Sequence, residues 1–137
     1  MSVLSISLSG MDAAVAKLNV SASNVANSRS SGALADAPRS TTAAPTPYQP
    51  LQLVQFSIAG SQGGGVATTV QAQPNAVETA YDPSASYADA QGLVASPNID
   101  PAVEMVNQMQ ALQQFKANLK VFQAGEEMMT AALNLKA

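Results

Sequence analysis

Apolar residues near the start of the chain repeat with the period of a helix that packs along one face. Over residues 2–27 they recur at alternating steps of four and three, as in helices that pack side by side. This N-terminal seam consists of Leu4, Leu8, Met11, Val15, Leu18, Ala22 and Val25. It predicts an N-terminal helix within residues 1–27. Aliphatic residues and serines alternate at the very start, so we expect regular helix to begin near Ser9.

A second and longer helix is predicted over residues 98–137. Asp100 is a favourable N-cap residue, and Pro101 suits the first helical position, where no backbone N–H is needed. Apolar residues recur at helical spacing, with a change of phase between Leu112 and Phe115. Gly125 interrupts the helix and indicates a close approach of another backbone or a local bend. The C-terminal seam consists of Met105, Met109, Leu112, Phe115, Leu119, Phe122, Met129 and Leu133.

These two segments are predicted to pack on each other. A helix of about 35 residues is roughly 50 Å long, and only the N-terminal helix offers an extended partner. A two-helix hairpin would leave further apolar residues in water, namely Val3, Ile6, Ala14, Val20 and Ala26. We therefore expect both helices to contact neighbouring molecules as well, whereas the competing interpretation is a small bundle with a wide core.

The middle of the chain, residues 28–97, has a different composition and holds seven of the eight prolines and six of the eight glycines. Residues 29–50 are expected to be irregular. Alternating apolar residues at 54–58 and 66–70, joined by a glycine-rich connection, predict a β-hairpin. A short strand is predicted within 75–81, and residues 88–92 and 96–98 carry turn-forming residues.

Composition excludes several classes of function. The net charge is −3 and only 11% of residues are charged, which argues against a nucleic-acid partner. The chain has no cysteine and no histidine, so the commonest metal ligands and neutral-pH catalysts are missing. Its carboxylates are scattered at turn and cap positions. We expect no enzyme activity, no metal, no cofactor and no small-molecule substrate.

The N-terminus carries no basic residue before Lys17, and no apolar run reaches 18 residues. A cleaved signal peptide and a membrane span are therefore not expected. Four asparagines stand out on the predicted helices: Asn24, Asn27, Asn107 and Asn118. They either form buried amide pairs that set the helix register and the choice of partner, or are ordinary helix-end and surface residues.

Several motifs resemble those of a known family. Residues 23–27 (SNVAN), 98–107 (NIDPAVEMVN) and 115–121 (FKANLKV) resemble the bacterial flagellar axial proteins. Within that group, residues 81–83, 88–94 and 97–100 look like the short basal-body rod proteins. The chain departs from the family pattern at residues 30–32, where Thr-Pro-Gly is usual, and at Gln49. The motif positions are Asn24, Ala26, Asn27, Asn98, Asp100, Asn107, Ala117 and Asn118.

The resemblance implies a mainly α fold with a small β region. Helices within 1–27 and 98–137 would pack as an antiparallel coiled-coil hairpin in an inner layer, and residues 28–97 would form an irregular, β-containing outer region. The implied function is a structural subunit of the proximal rod of the flagellar basal body, which polymerises helically through its terminal helices into the drive shaft between motor and hook. The alternatives are a helical adaptor or secretion-system partner, or another rod or hook protein.

The resemblance also implies partners and a location. The partners would be further copies of the chain, other rod subunits, and the ring and export-gate components at the base of the rod. The chain would pass unfolded through the flagellar type III export apparatus, without a cleaved signal, and assemble in the periplasm.

Overall fold

The computed structural model describes residues 3–35, 44–58 and 64–135. Two long helices lie at the two ends of the chain, and four short strands lie between them. The elements are α1 (Val3–Ala26), β1 (Leu51–Ser57), β2 (Val66–Ala72), β3 (Val77–Tyr81), β4 (Leu93–Pro97) and α2 (Pro101–Asn134). The predicted mainly α fold with a small β region is confirmed.

The helix α1 begins at Val3, so the expectation that regular helix starts near Ser9 is wrong. The serines of the first turns are compatible with a helix because their hydroxyls donate to carbonyls one turn earlier. Ser7 Oγ donates to the Val3 carbonyl at 3.0 Å, and Ser9 Oγ donates to the Ile6 carbonyl at 2.7 Å.

The helix α2 begins as predicted. The Asp100 carboxylate accepts a hydrogen bond from the Ala102 backbone N–H at 2.8 Å, and Pro101 occupies the first helical position. The carboxylate therefore satisfies one of the N–H groups that have no partner inside the helix.

Residues near the end of α1 contact the start of α2, and residues near the start of α1 contact the later part of α2. Near the end of α1, Ser21 Oγ donates to the Glu104 carbonyl at 2.9 Å, in the first turn of α2. Nearer the middle, Lys17 Nζ donates to Gln110 Oε1 at 2.8 Å. At the start of α1, Leu4 lies against Gly125, where an added Cβ would come within 2.9 Å of Leu4 Cδ2. The close neighbour of Gly125 is therefore a side chain and not the backbone that the sequence predicted.

Apart from Met11, the residues buried between and beside the helices are small or polar. On α1 they are Ser7, Gly10, Met11, Ala13, Ala14, Ser21 and Asn24, and on α2 they are Glu104, Ala111 and Gly125. Ala14, which was expected to stay exposed in a two-helix hairpin, is only 1% exposed. Small side chains let two helices approach closely, because the distance between helix axes depends on the residues at the contact.

The predicted β-hairpin is confirmed. Strands β1 and β2 pair antiparallel, with Leu51 opposite Ala72 and Ser57 opposite Val66. Residues 59–63 of its glycine-rich connection lie outside the described residues. The hairpin lies along α1: the Val66 backbone N–H donates to Ser9 Oγ at 3.1 Å near one end of the helix, and Leu51 meets Asn24 near the other end.

The short strand predicted within 75–81 is confirmed as β3. Its partner β4 is not among the predicted strands, and its last two residues fall in the segment 96–98 that was predicted to turn. A five-residue strand that contains proline gives a weak signal. Pro97 is tolerated because residues 95 and 97 direct their backbone N–H positions away from β3, so the pairing with β3 loses no hydrogen bond. Val94 and Ala95 of β4 are buried. Ala95 also pairs with Gly32 through two backbone hydrogen bonds of 2.8 and 2.9 Å.

One described helix, α1, is long and apolar enough by length and composition alone to cross a membrane. The absence of an uninterrupted apolar run did not predict this, because valine, leucine, isoleucine and alanine spread along the helix raise its mean hydropathy. A buried helix of a protein core or an N-terminal signal sequence meets the same criterion, and α1 packs against α2 and the β1–β2 hairpin in this structure.

Candidate functional site

The N-terminal seam lies mostly on the surface of the molecule. Met11 is buried with 8% exposure and Leu4 is half-buried, but the other members of the seam are exposed. The exposed members are Leu8, Val15, Leu18, Ala22 and Val25, which we name the outer stripe of α1. This part of the seam does not form the buried contact with α2 that the repeat pattern predicts.

The C-terminal seam has the same character. Phe115 and Phe122 are half-buried, and the remaining members are exposed, with Met105 at 64%. The exposed members are Met105, Met109, Leu112, Leu119, Met129 and Leu133, which we name the outer stripe of α2. Both helices thus present large apolar side chains to the surroundings.

The residues of α2 that lie closest to α1 form a second pattern with the same period. Glu104, Ala111, Asn118 and Gly125 are each seven residues apart, and all but the half-buried Asn118 are buried. Asn118 lies against Gly10, where an added Cβ would be 2.7 Å from its carboxamide atoms. At the positions of Gly10, Ala111 and Gly125 there is no room for a large side chain, so most of the large apolar residues lie on other faces of the helices.

A buried polar cluster joins the end of α1 to three other parts of the chain. We name it the Asn24 cluster, and it contains Asn24, Tyr48, Leu51 and Glu104. The Asn24 side-chain amide donates to the Leu51 carbonyl at 2.9 Å and to Glu104 Oε1 at 2.7 Å. Its Oδ1 accepts from the Leu51 N–H at 2.9 Å and from the Tyr48 hydroxyl at 3.1 Å.

These four bonds use the full hydrogen-bonding capacity of the Asn24 carboxamide, which has two donors and two lone pairs. The partners also fix its orientation, because a backbone N–H can only donate and a carbonyl can only accept. Asn24 is 1% exposed. A fully satisfied buried amide is consistent with a specific structural role, since an unmatched one would be costly.

Glu104 is the buried acidic residue of the cluster, with 5% exposure. Its carboxylate accepts from the side-chain amides of Asn24 and, at 3.3 Å, of Asn107. It lies in the first turn of α2, where the helix dipole favours a negative charge. Within the residues that the structure describes, no buried side-chain nitrogen or oxygen lacks a hydrogen-bond partner.

Sequence reasoning did not find Glu104, Tyr48 or Ser21 as members of a buried site. One signal could have predicted that Glu104 is buried. This residue lies at a spacing of seven residues from Ala111, which is followed at the same spacing by Asn118 and Gly125. Tyr48 has no such signal, because it meets Asn24 from an irregular segment.

The other motif residues lie in several places. Ala26 and Ala117 are exposed. The Asn27 side chain donates to the Ser23 carbonyl at 2.9 Å, as expected of a helix-end residue. Asn98 donates to the Asn75 carbonyl at 3.3 Å. The structure therefore brings Asn24 and Asn107 together through Glu104, and leaves the remaining motif residues apart.

Two open clefts border these elements. One of about 380 Å³ lies between the helices and β1, and Glu104 and Lys17 line it. A larger one of about 740 Å³ lies beside β3, with Thr46 and Val77 in its wall. Among the described residues, no group of three or more His, Cys, Asp or Glu side chains could hold a metal ion.

Comparison with known proteins identifies the family. Residues 90–135 match the family described as flagellar basal body rod FlgEFG protein C-terminal. Over nearly its whole length the chain is 34% identical to the flagellar basal-body rod protein FlgC of Salmonella typhimurium, covering 98% of this chain and 96% of that protein. This chain belongs to the FlgC family of flagellar basal-body rod proteins. The resemblance inferred from the sequence motifs is confirmed.

Other FlgC proteins match this chain either over nearly its whole length or over a shorter segment. The FlgC protein of Yersinia enterocolitica is 32% identical, again over 98% of this chain and 96% of the relative. The FlgC protein of Aquifex aeolicus is 45% identical over 47 residues, or 34% of this chain and 35% of that protein. These relatives are named as rod proteins rather than as enzymes.

Proposed function

We propose that this chain is a non-enzymatic structural subunit of the proximal rod, and that it polymerises helically through α1 and α2. The observation that carries the proposal is the full-length similarity to FlgC proteins named as basal-body rod proteins. The outer stripes of both helices support it, because they supply apolar surface that a second molecule can cover.

Burial of those stripes would stabilise the assembly. Full burial of one large apolar side chain contributes about 1.5–3 kcal/mol, and residues such as Leu8, Leu112 and Met129 are about half exposed. Several such residues per subunit offset part of the cost of ordering the subunits. In this arrangement α1 and α2 form an antiparallel coiled-coil hairpin in the inner layer, and residues 28–97 form the outer region.

Contacts between identical subunits that do not close into a ring generate a helical tube. Closely packed helices deform little, so such a tube transmits torque from the motor to the hook. The partners are further copies of this chain and other rod subunits, together with ring and export-gate components at the base of the rod. The chain reaches the periplasm through the flagellar type III export apparatus without a cleaved signal.

The proposal is tested by deleting the gene from the source bacterium and restoring it. The deletion strain is expected not to swim, the restored strain is expected to swim, and purified basal bodies should contain the chain. A motile deletion strain, or basal bodies that lack the chain, would contradict the proposal.

The competing adaptor function is tested by circular dichroism and sedimentation of the purified chain over a range of concentrations. A rod subunit gains helicity as it assembles. An adaptor would instead be a compact monomer that melts cooperatively, with both helices already formed.

A further inference from the structure

The β1–β2 hairpin has a strand edge at which a side chain of α1 covers the backbone N–H and C=O of the first residue, Leu51. The Gln73 backbone N–H donates to the Pro50 carbonyl at 2.8 Å, so residue 50 faces the partner strand β2. Successive residues of an antiparallel strand direct their N–H and C=O alternately toward and away from the partner strand. Those of Leu51, the residue after Pro50, therefore point away from β2. They lie at the open edge of β1.

Asn24 covers this edge in the way that a neighbouring strand would. Its Oδ1 accepts from the Leu51 N–H and its Nδ2 donates to the Leu51 carbonyl, both at 2.9 Å. An amide that accepts from the N–H and donates to the C=O of the same residue reproduces the pairing of one residue in a third strand. The sequence of β1, LQLVQFS, contains no charge and no proline that would otherwise protect its edge.

The same amide group also reaches α2. The second hydrogen of Asn24 Nδ2 goes to Glu104 Oε1 at 2.7 Å, the shortest bond in the Asn24 cluster. Ser21 adds a bond from α1 to the Glu104 carbonyl. One side chain therefore links α1, the start of β1 and the first turn of α2.

We infer that Asn24 is the positioning residue that fixes the β1–β2 hairpin on the helix pair, and that Glu104 holds Asn24 in the required orientation. This assigns to Asn24 a role in docking the outer region, distinct from the pairing of asparagines between helices expected from the sequence. The swimming assay below rests on the proposed rod function, whereas the protease assay does not.

The first test is a charge rescue in the restored strain. Asn24→Asp keeps the acceptor for the Leu51 N–H. It loses the donor to the Leu51 carbonyl and places a second carboxylate against Glu104, at the position of a 2.7 Å bond. We expect it to abolish swimming. Glu104→Gln keeps a neutral acceptor at this place, and we expect it to retain at least half of the wild-type swim-halo diameter.

The double variant decides whether the two side chains act through their mutual contact. With Asn24→Asp and Glu104→Gln together, the new amide donates to the new carboxylate, which removes the charge repulsion. The Leu51 carbonyl then keeps only the Gln73 side-chain donor at 3.1 Å, so we expect swimming to return in part, with a halo larger than that of Asn24→Asp and smaller than that of the wild type. The matched control is Asn19→Asp, the same change at an exposed position of α1, which is expected to swim normally. Normal swimming of Asn24→Asp alone, or a double variant no better than Asn24→Asp, would overturn the inference.

The second test follows the hairpin in the purified full-length chain, at a protein concentration at which circular dichroism shows that both helices are formed. Chymotrypsin cleaves after exposed aromatic residues, and Phe56 in β1 and Tyr81 in β3 are 52% and 72% exposed. In Asn24→Ala we expect cleavage after Phe56 to become at least tenfold faster, because the hairpin detaches from α1, whereas cleavage after Tyr81 keeps its rate. Equal acceleration at both sites, or none at Phe56, would contradict the docking role.

Discussion

Leu18 lies in the outer stripe of α1 and gives the sharpest test of assembly through that surface. It is 41% exposed, so more than half of its side chain is already buried within the subunit. Full burial of a leucine contributes about 1.5–3 kcal/mol, which leaves about 0.6–1.2 kcal/mol for a neighbouring subunit to recover by covering the rest. Leu18→Asp removes this contribution and places a carboxylate where water is excluded.

Desolvation of an unpaired carboxylate costs several kcal/mol. The combined loss is at least about 3 kcal/mol for each contact, or more than about a hundredfold in affinity. Because every subunit of a rod repeats the same contact, we expect Leu18→Asp to be absent from purified basal bodies and the strain to be non-motile. The assays are the swim-halo diameter and an immunoblot of basal bodies.

Two controls separate the apolar contact from a general effect of charge. Leu18→Met preserves the apolar volume and is expected to swim normally. Asn19→Asp adds the same charge one residue later. Asp12, seven residues before it on the same side of α1, is already exposed, so this variant is also expected to swim. Normal swimming of Leu18→Asp would refute the proposal that subunits assemble through this surface. If Asn19→Asp fails to swim as well, the contact between subunits is not restricted to the outer stripe of α1.

Three further substitutions test the helix pair. Gly10→Ala places a Cβ 2.7 Å from the Asn118 carboxamide, and the overpacking cost of about 1–3 kcal/mol exceeds the gain in helix propensity of about 1 kcal/mol. We therefore expect less of the chain in basal bodies, and wild-type amounts would show that the helices are not this close. Gly125→Ala meets only the end of the flexible Leu4 side chain, so swim halos should stay at wild-type size, and a loss of swimming would contradict this. Asp100→Ala removes the N-cap at a cost of about 1 kcal/mol and should weaken swimming at elevated temperature, whereas Asp100→Asn should not; equal behaviour of the two would exclude a capping role.

The elements of the fold were largely predictable because their signals are local. The spacing of Leu4 to Val25 predicts a helix whatever that helix packs against, and the Asp100-Pro101 pair marks the start of α2. The alternation on both sides of the glycine-rich connection likewise predicts the β1–β2 hairpin. These patterns depend on residues near each other in the chain, and the structure has a helix or strand in each place.

The inward faces of the helices were not predictable from large apolar residues. Close contact between α1 and α2 favours glycine, alanine and serine, which contribute little to a hydrophobic repeat. Met11 is the only member of the two seams that is buried, whereas Ala14 and Ala111 are each only 1% exposed. A leucine or methionine repeat therefore locates a helix without identifying the neighbour that covers it.

The Asn24 cluster was missed for a different reason. Its contacts join residues 24 to 80 positions apart in sequence, and no local pattern reports which amide will meet which peptide group. Asn24 was recognised as a motif residue, but its partners Leu51 and Glu104 follow only from the three-dimensional arrangement. The same holds for β4, whose signal is too short to stand without β3 beside it.

The most direct test of assembly through the helices is the reactivity of single cysteines before and after assembly. The chain has no native cysteine, so Leu18→Cys, Met109→Cys and Ser84→Cys each introduce one thiol. These positions are exposed in the isolated subunit, with Ser84 outside both helices. In purified basal bodies we expect maleimide labelling at positions 18 and 109 to fall at least tenfold relative to the unassembled chain, with position 84 still reactive. Labelling at 18 and 109 that is as fast in basal bodies as in the free subunit would contradict the account.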